Sequence, residues 1–207
     1  MRRVVFRCGF GGVFLLFFAG HGLAQDIGIG AGVSLAKEND HAEGSTGFEA
    51  RVGFFGDNNL AILATGGRYV ADARGDVLQA GNYSLVWGEA TLLAQIKVKF
   101  LQPYAGVGCG YYITGHDIDQ QVRDFYDRLG QKIEQDIQDL AGAHVRGGLN
   151  VIVSPLVSMC LDIKYIFFKP EVKTKITSKS TSVSISTKEK RIDLSTMFIG
   201  VGVGLGM

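Results

Sequence analysis

Residues 86–100 read VWGEATLLAQIKVKF, and their side chains alternate in character along the whole segment. Every even position carries an apolar residue or glycine, whereas the odd positions include Glu89, Thr91, Gln95 and two lysines. A period of two places successive side chains on opposite faces of a β-strand. Strands of globular proteins are usually about 5 or 6 residues long, so this segment predicts a strand of unusual length.

Seven further segments complete a predicted set of eight strands. Six of them alternate as clearly as residues 86–100, and residues 60–70 are assigned to a strand mainly by their position between two turns. Glycine, at 29 of 207 residues, has about twice its average frequency and falls largely on the polar face. The six clear segments are 27–35, 48–54, 104–113, 144–153, 157–167 and 196–207.

The connections between these strands are alternately short and long. Short turns at one end and long loops at the other are typical of a transmembrane β-barrel. A strand of about 11 residues at 3.3 Å per residue, tilted by about 45°, spans roughly the 25 Å of an outer-membrane apolar band. The short turns are 56–59, 101–103 and 154–156, and the long loops are 37–47, 71–82, 115–142 and 169–190.

Aromatic residues lie near both predicted ends of the strands. We expect them to form the aromatic belts that mark the two membrane interfaces of such barrels. The turn end has Phe54, Phe55, Phe100 and Tyr104, and the loop end has Tyr69, Tyr83, Trp87, Tyr112, Tyr165, Phe167 and Phe168.

The first 24 residues have the order of a secretory signal peptide. Three arginines precede an apolar segment at 10–19, which small residues follow at 22–24. The apolar segment is about half as long as the roughly 20 residues that a membrane-spanning helix requires. We therefore predict a signal peptide at 1–24 and one barrel domain at 25–207. The near-neutral charge of that domain argues against nucleic acid as a partner.

A soluble lipocalin-like barrel is the alternative fold. It would turn the apolar face inward around a ligand and the charged face outward. Export, the difference between short turns and long loops, and the glycines on the polar face all favour the membrane barrel. Glycine suits the narrow interior of an eight-stranded barrel, whereas a strand face exposed to water has no need of it.

Three segments of the sequence resemble a known group of proteins. Residues 102–111 (QPYAGVGCGY), 161–165 (LDIKY) and 198–204 (FIGVGVG) are similar to strands of small outer-membrane barrels of the outer-membrane protein W and opacity-protein type. The resemblance implies an all-β, eight-stranded antiparallel transmembrane barrel in the outer membrane of a Gram-negative envelope. It also implies export and barrel-assembly machinery as partners. Members usually end in an aromatic residue that this machinery reads, whereas this chain ends in Met207.

The polar face of the predicted strands carries charges of both signs into the barrel interior. Eight strands leave a lumen just wide enough for side chains, so we predict a paired polar plug, with a narrow polar pore as the alternative. Cys109 and Cys160 fall on opposite faces and are predicted to stay free. The predicted lumen residues are Glu49, Arg51, Glu89, Lys97, Lys99, His144, Arg146, Asp162 and Lys164.

The third and fourth long loops carry opposite charge. Apolar residues from Ile118 to Leu140 recur every three or four positions, which predicts an amphipathic helix inserted in the third, acidic loop. The fourth loop is basic, and its alternation predicts a β-hairpin. We hypothesise that the helix docks on the hairpin as a lid; the alternative is two separately solvated loops, the basic one meeting lipopolysaccharide. The predicted lid contacts are Phe125, Leu129, Ile133, Lys173, Lys175 and Lys179.

Nothing in the sequence predicts an enzyme, a metal site or a cofactor. A lipid A deacylase would need a lipid-facing His with a Ser two positions on, whereas Arg146 occupies that position after His144. Two functions remain open. The resemblance favours a barrel that binds or passes small hydrophobic ligands under the lid, which requires an apolar cavity near the loop end. The alternative is a non-conducting, structural or adhesin-like barrel that acts through its loops, in contact with outer-membrane lipid and lipopolysaccharide.

Overall fold

A computed structural model describes residues 26–37, 44–56, 59–73, 78–180 and 184–206. The predicted signal peptide, residue 25, Met207 and parts of four connections lie outside these residues. The elements are β1 (Asp26–Ala36), β2 (Ser45–Phe55), β3 (Leu60–Ala73), β4 (Gly81–Gln95), β5 (Leu101–Ile118), α1 (Gln120–Arg128), β6 (Gln131–Ile137), β7 (Leu140–Ser154), β8 (Val157–Phe167), β9 (Glu171–Ser178), β10 (Ser184–Arg191) and β11 (Thr196–Gly206).

Eight of these strands form a closed antiparallel barrel in the order β1, β11, β8, β7, β5, β4, β3, β2. The first strand pairs with the last, from Gly28 opposite Gly206 to Ala36 opposite Phe198. This closure leaves no free sheet edge, which a strand in lipid could not tolerate. The predicted eight-stranded barrel, including the poorly alternating segment 60–70, is confirmed.

The apolar face of each strand points outward. In β4 the odd residues are buried and the even residues are mostly exposed: Glu89 is 6% exposed and Thr91 0%, whereas Leu92 is 53% exposed. The outer surface therefore carries a continuous apolar belt, which water would not stabilise. This orientation excludes the lipocalin-like alternative.

The long alternating segment 86–100 includes both a strand and a turn, contrary to the sequence prediction. Strand β4 ends at Gln95, and the backbone turns back over 96–100, where Val98 and Leu101 exchange hydrogen bonds of 2.8 and 2.9 Å. Lys99 takes the left-handed conformation with φ 54° in this turn. Residues 101–103, predicted as the turn, begin β5. Alternation continues through both arms of a hairpin, so it does not mark where the strand ends.

The predicted helix of the third long loop is present but short. It ends at Arg128, and Gly130, with φ 68°, turns the chain into β6. The helix prediction is therefore wrong for the second half of this loop. Ile133 and Ile137 lie four residues apart, a spacing that puts two side chains on one face of a strand as well as of a helix. Both side chains are buried on the same face of β6.

The fourth long loop forms the predicted hairpin, β9 with β10, and β6 joins it as a third strand. The hairpin continues the pair β8 and β11 beyond the barrel. Two backbone hydrogen bonds carry the pairing across the break, from Ile192 N–H to Pro170 O (3.0 Å) and from Leu194 N–H to Phe168 O (2.9 Å). A three-stranded sheet thus rises from the loop end of the barrel.

The outward orientation of the apolar belt predicts a strong penalty for a charge at its centre. Leu161, 55% exposed on β8, lies opposite Val201 near the middle of both strands. We expect Leu161→Arg to lower the free energy of unfolding by about 2–4 kcal/mol and Leu156→Arg, in the neighbouring turn, by about 0–1 kcal/mol. Urea titration of the barrel refolded in lipid vesicles measures both. Equal losses for the two variants would contradict this placement of the belt.

Candidate functional site: the filled barrel interior and the sheet above it

The barrel interior holds a network of buried charged side chains from four strands. Lys164 Nζ on β8 lies 3.0 Å from Glu49 Oε2 on β2 and 2.9 Å from Glu89 Oε2 on β4. Arg146 on β7 contacts Glu49 and donates from Nε to Asp162 Oδ2 at 2.6 Å. These five side chains are at most 7% exposed. Each carboxylate therefore has a cationic partner inside the lumen.

Three neutral residues that the sequence analysis did not assign to the lumen complete this network. Thr65 donates to Glu89 at 2.9 Å, and Tyr112 donates to the other oxygen of Glu89 at 3.0 Å. Thr91 lies 2.8 Å from His144 Nε2. All three occupy inward positions of their strands. Their strand parity was the available signal, but a neutral side chain does not indicate a charged network.

Arg51 balances the charges of the lumen. Its Nη2 lies 3.3 Å from Glu49 and 3.8 Å from Asp162, and Nη1 lies 3.1 Å from Cys160 Sγ. Together with Arg146 and Lys164 it supplies three positive charges against Glu49, Glu89 and Asp162. Paired charges of equal number can stay buried, whereas an unpaired one would be costly. The lumen is thus occupied by a compensated set of side chains.

Two lysines predicted to point into the lumen do not do so. Lys97 and Lys99 follow the end of β4, and both are exposed in the turn. The structure places the other predicted lumen residues inside the barrel, with Arg51 only half-buried. His144 is 1% exposed and faces Thr91, so it does not face lipid as a deacylase histidine would.

An aromatic layer covers the charged network toward the loop end. Lys164 Nζ lies 4.5 Å from the centre of the Trp87 ring and 5.3 Å from that of Phe198, a cation–π arrangement. Tyr69 packs edge-on against Phe198, with ring centres 5.6 Å apart. The predicted loop-end belt is therefore largely wrong, because most of its members fill the barrel. The inward members are Tyr69, Tyr83, Trp87, Tyr112 and Phe168, and the outward ones are Tyr165 and Phe167.

Apolar residues of the long loops close the barrel above the aromatic layer. Leu78, Val172 and Leu194 are at most 2% exposed and belong to the same core cluster as Trp87. Ile137 and Ile192 complete it, each 4% exposed. A continuous core thus runs from the charged network into the extracellular sheet.

The sheet, rather than a helical lid, joins the acidic loop to the basic one. Phe125 and Leu129 on and beside α1 are 59% and 57% exposed, so these predicted lid contacts do not cover the mouth. The helix reaches the hairpin through one ion pair, Asp127 with Lys179 at 2.9 Å. Ile133 is buried, but as part of β6.

Opposite charges face each other across the sheet. The register places Asp136 of β6 beside Lys173 of β9, which lies 2.5 Å from Glu189 of β10. Glu134 lies beside Lys175 in the same register. The opposite charges of the two loops therefore meet as cross-strand neighbours in one sheet. Such pairs stabilise a β-ladder.

Two short segments, 168–170 and 192–195, join the barrel to the sheet and form a neck, in which Asp193 makes the main polar contacts. Its carboxylate lies 2.9 Å from Lys169 Nζ and accepts from the backbone of Ser195 at 3.0 Å. Burial opposes ionisation, but the hydrogen bonds from Ser195 and Lys169 outweigh it and lower the pKa of Asp193 to about 2. The carboxylate therefore stays charged at any physiological pH.

Two cavities border these features. A polar cleft of about 530 Å³ lies between α1 and β6, with Arg123, Asp127, Lys132 and Glu134 among its lining residues. A cavity of about 280 Å³ lies at the turn end of the barrel, below Arg51. Within the described segments, the apolar cavity expected near the loop end is replaced by the protein's own side chains.

The described part of the chain offers no cluster of three or more His, Cys, Asp and Glu side chains for a metal ion. Cys109 is exposed on the outer face and Cys160 is buried inside, and both are free, as their opposite strand parity predicts. Among the described residues, no helix has the length and apolar character needed to cross a membrane.

Solved structures with this architecture come from several bacteria. The outer membrane protein OprG from Pseudomonas aeruginosa is 13% identical, with a TM-score of 0.71 over 91% of this chain and 98% of that one. Neisserial surface protein A is 13% identical, with a TM-score of 0.55 over 87% and 95%. A major outer membrane protein from Thermus thermophilus is 11% identical, with a TM-score of 0.55 over 88% and 98%.

The chain has the fold of the small eight-stranded outer-membrane β-barrels. An apolar belt around a closed, even-numbered antiparallel barrel is the architecture of bacterial outer-membrane proteins, and the chain is placed in the outer membrane accordingly. No protein-family model matches the sequence, and no curated protein matches it. At such low identities the similarity shows the fold and gives no information about activity.

Within this small outer-membrane barrel, removal of Lys164 tests the network. Lys164→Met leaves Glu49 and Glu89 buried beside each other without their shared cation. We expect the free energy of unfolding to fall by about 3–5 kcal/mol. Lys188→Met, on the exposed extracellular sheet, should change it by no more than about 0.5 kcal/mol. Urea titration measures both, and a loss below about 1 kcal/mol for Lys164→Met would contradict a plug held by charge pairing.

The low pKa of Asp193 predicts a local response to acid. The carboxylate stabilises the neck above its unfolded pKa, and this contribution is lost as the pH falls from about 4 to about 2. The methyl NMR signals of Ile192 and Leu194 should shift over this range. In Asp193→Asn their chemical shifts should stay near the low-pH values at every pH. The ion pair is largely exposed, so the unfolding midpoint of the whole barrel should hardly change. Methyl signals that titrate equally in Asp193→Asn would refute this assignment.

Proposed function

We propose that this protein is a non-conducting outer-membrane barrel that acts through its extracellular sheet as a structural or surface-interaction protein. The filled interior carries this proposal. The network around Lys164, the ring of Trp87 and the loop residues around Val172 follow one another along the barrel axis. A water path would have to replace paired charges and a packed aromatic layer at the same time. We assign no catalytic step to the chain.

Passage of small hydrophobic molecules is less well supported. That function requires a ligand-sized apolar cavity under the loops. At that position the described residues Leu78, Ile137, Val172 and Leu194 pack against the aromatic layer. A ligand could enter only by displacing this core. The fold itself does not decide the question, because one barrel architecture serves several functions.

The charge of β10 indicates which partner the sheet would contact. Lys188 and Lys190 are exposed, lie on one face of the strand, and form no ion pair with another described residue. Unpaired lysines just outside an outer membrane face the anionic groups of lipopolysaccharide, and each basic residue near such a surface contributes about 1 kcal/mol. We therefore propose lipopolysaccharide as the first partner of the sheet.

Planar-bilayer recording tests whether the barrel conducts. The chain from residue 25 is refolded, its closure is checked by heat-modifiable gel migration, and a known porin serves as the positive control. We expect no discrete current steps from this protein, because the described side chains fill the lumen. Reproducible steps that scale with the amount of folded barrel would overturn the proposal.

Binding of lipopolysaccharide tests the role of the sheet. The refolded barrel in nanodiscs of zwitterionic lipid is titrated with fluorescent lipopolysaccharide at two salt concentrations. The double variant Lys188→Glu and Lys190→Glu should bind about tenfold more weakly at low salt, with a smaller difference at high salt.

The matched control reverses Lys97 and Lys99, which lie in a turn at the opposite end of the barrel. It makes the same change in net charge and should leave the affinity unchanged. An equal loss in both double variants would show a response to net charge alone and would remove the sheet as the contact surface.

A further inference from the structure

The turn-end cavity is a large space inside the described barrel. It lies between the charged network and the turns, with Lys97, Ser154 and Pro155 at its mouth. Short turns of outer-membrane barrels face the periplasm. The cavity, of about 280 Å³, is therefore reached from the periplasm and is separated from the extracellular sheet by the whole plug.

One wall of the cavity carries no side chains. Gly28 and Gly30 of β1 and Gly204 of β11 line it, and their strands pair directly at this level, with Gly30 opposite Gly204. The facing wall is apolar and includes Phe55, Leu63 and Leu93. Phe55 packs against Gly28, and Ser158 packs against Gly204. The space that remains beside these contacts has a largely apolar surface.

The inner end of the slot is polar and has free donors. Tyr104 is 8% exposed and lines the cavity, and its hydroxyl has no hydrogen-bond partner. Arg51 also lines the cavity; its Nη atoms face Cys160 and Glu49, whereas its Nε is buried without a partner. Buried donors are nearly always satisfied in folded proteins. Both atoms are covered in this conformation, so a ligand that accepts hydrogen bonds would reach them after a small shift of the Tyr104 and Arg51 side chains.

The charge of the lining selects the kind of acceptor. The cavity is lined by no acidic residue among those described and by two cationic side chains, Lys97 and Arg51, of which Arg51 already pairs with Glu49 and Asp162. A carboxylate has two acceptor oxygens, enough for the Tyr104 hydroxyl and the Arg51 Nε, and hydrogen bonds that involve a charged group are the stronger ones. Lys97 adds positive potential at the entrance.

We propose that this cavity binds a small monocarboxylate with an apolar body from the periplasmic side. The carboxylate lies against Tyr104 and Arg51, and the body packs on Phe55, Leu63 and Leu93. The volume is near the lower limit of the roughly 300–1,000 Å³ found for ligand sites, so the ligand is of the size of benzoate rather than a long-chain fatty acid. This site is independent of the extracellular sheet.

Titration with benzoate tests the proposal on the refolded chain from residue 25 in nanodiscs of zwitterionic lipid. Methyl NMR signals of Leu63, Leu93 and Ile152, which line the cavity, should shift and saturate. Those of Leu161 and Ile163, on the lipid-facing side, should stay in place. Benzyl alcohol, which has the same ring without the carboxylate, should bind at least about tenfold more weakly.

Three variants separate this site from general partitioning. Tyr104→Phe removes only the hydroxyl and should weaken benzoate about tenfold. Ser158→Phe places a ring in the cavity and should abolish the saturable shifts, whereas Met159→Phe adds the same ring on the lipid-facing side of β8 and should leave them unchanged. Heat-modifiable gel migration confirms that each variant forms the barrel.

Three results would each overturn the proposal. The first is the lack of any saturable shift in the cavity methyls. The second is benzyl alcohol binding as tightly as benzoate, with no loss in Tyr104→Phe. The third is equal shifts of cavity and lipid-facing methyls, which would show partition into the lipid.

Discussion

Closure of the sheet between β1 and β11 is the constraint on which the rest of this structure depends. In hydrocarbon every backbone N–H and C=O must be paired within the protein, so the first strand has to meet the last. The inward positions at this seam are mostly glycine, with Gly30 opposite Gly204 and Gly32 opposite Gly202. The seam is therefore a thin wall, and the large side chains of the other strands extend toward it.

Two features of the interior follow from this uneven wall. Near the middle of the barrel, Arg51 and Arg146 reach across the lumen and bind the carboxylates of Glu49 and Asp162. Nearer the turns the uncharged side chains of Phe55 and Ser158 pack against Gly28 and Gly204, and a cavity remains beside them. The same seam thus allows a plug at one level and a ligand-sized space at another.

In the function that we propose, the plug leaves contacts on the extracellular side to the extracellular sheet. Aromatic rings cover Lys164, and apolar loop residues cover the rings, so the core of the barrel continues into the sheet without a break. The sheet is held over the mouth by this packing and by the neck around Asp193. Its exposed face is left with charged side chains, which suits it to contact polar partners rather than to admit apolar ones.

The amino-acid sequence by itself determined the barrel, the direction of each strand face and most of the charged lumen. These follow from a local rule, since a period of two assigns every side chain to one of two faces. The ends of the strands were harder to predict from the sequence, because alternation continues through the turn at Lys99. Strand parity also predicts whether an aromatic residue near a strand end points inward or outward. For Trp87 and Tyr112 the sequence analysis assigned an interfacial belt instead, although parity places both inside the barrel.

Only the tertiary structure decided the extracellular architecture and the cavity. Ile133 and Ile137 have a spacing that fits a helix or a strand, and the free edge of β9 drew this segment into a sheet. The unpartnered donors of Tyr104 and Arg51 depend on which residues from distant strands meet them in the lumen. Such contacts are set by strand register and closure around the whole barrel, and no local pattern of residues encodes them.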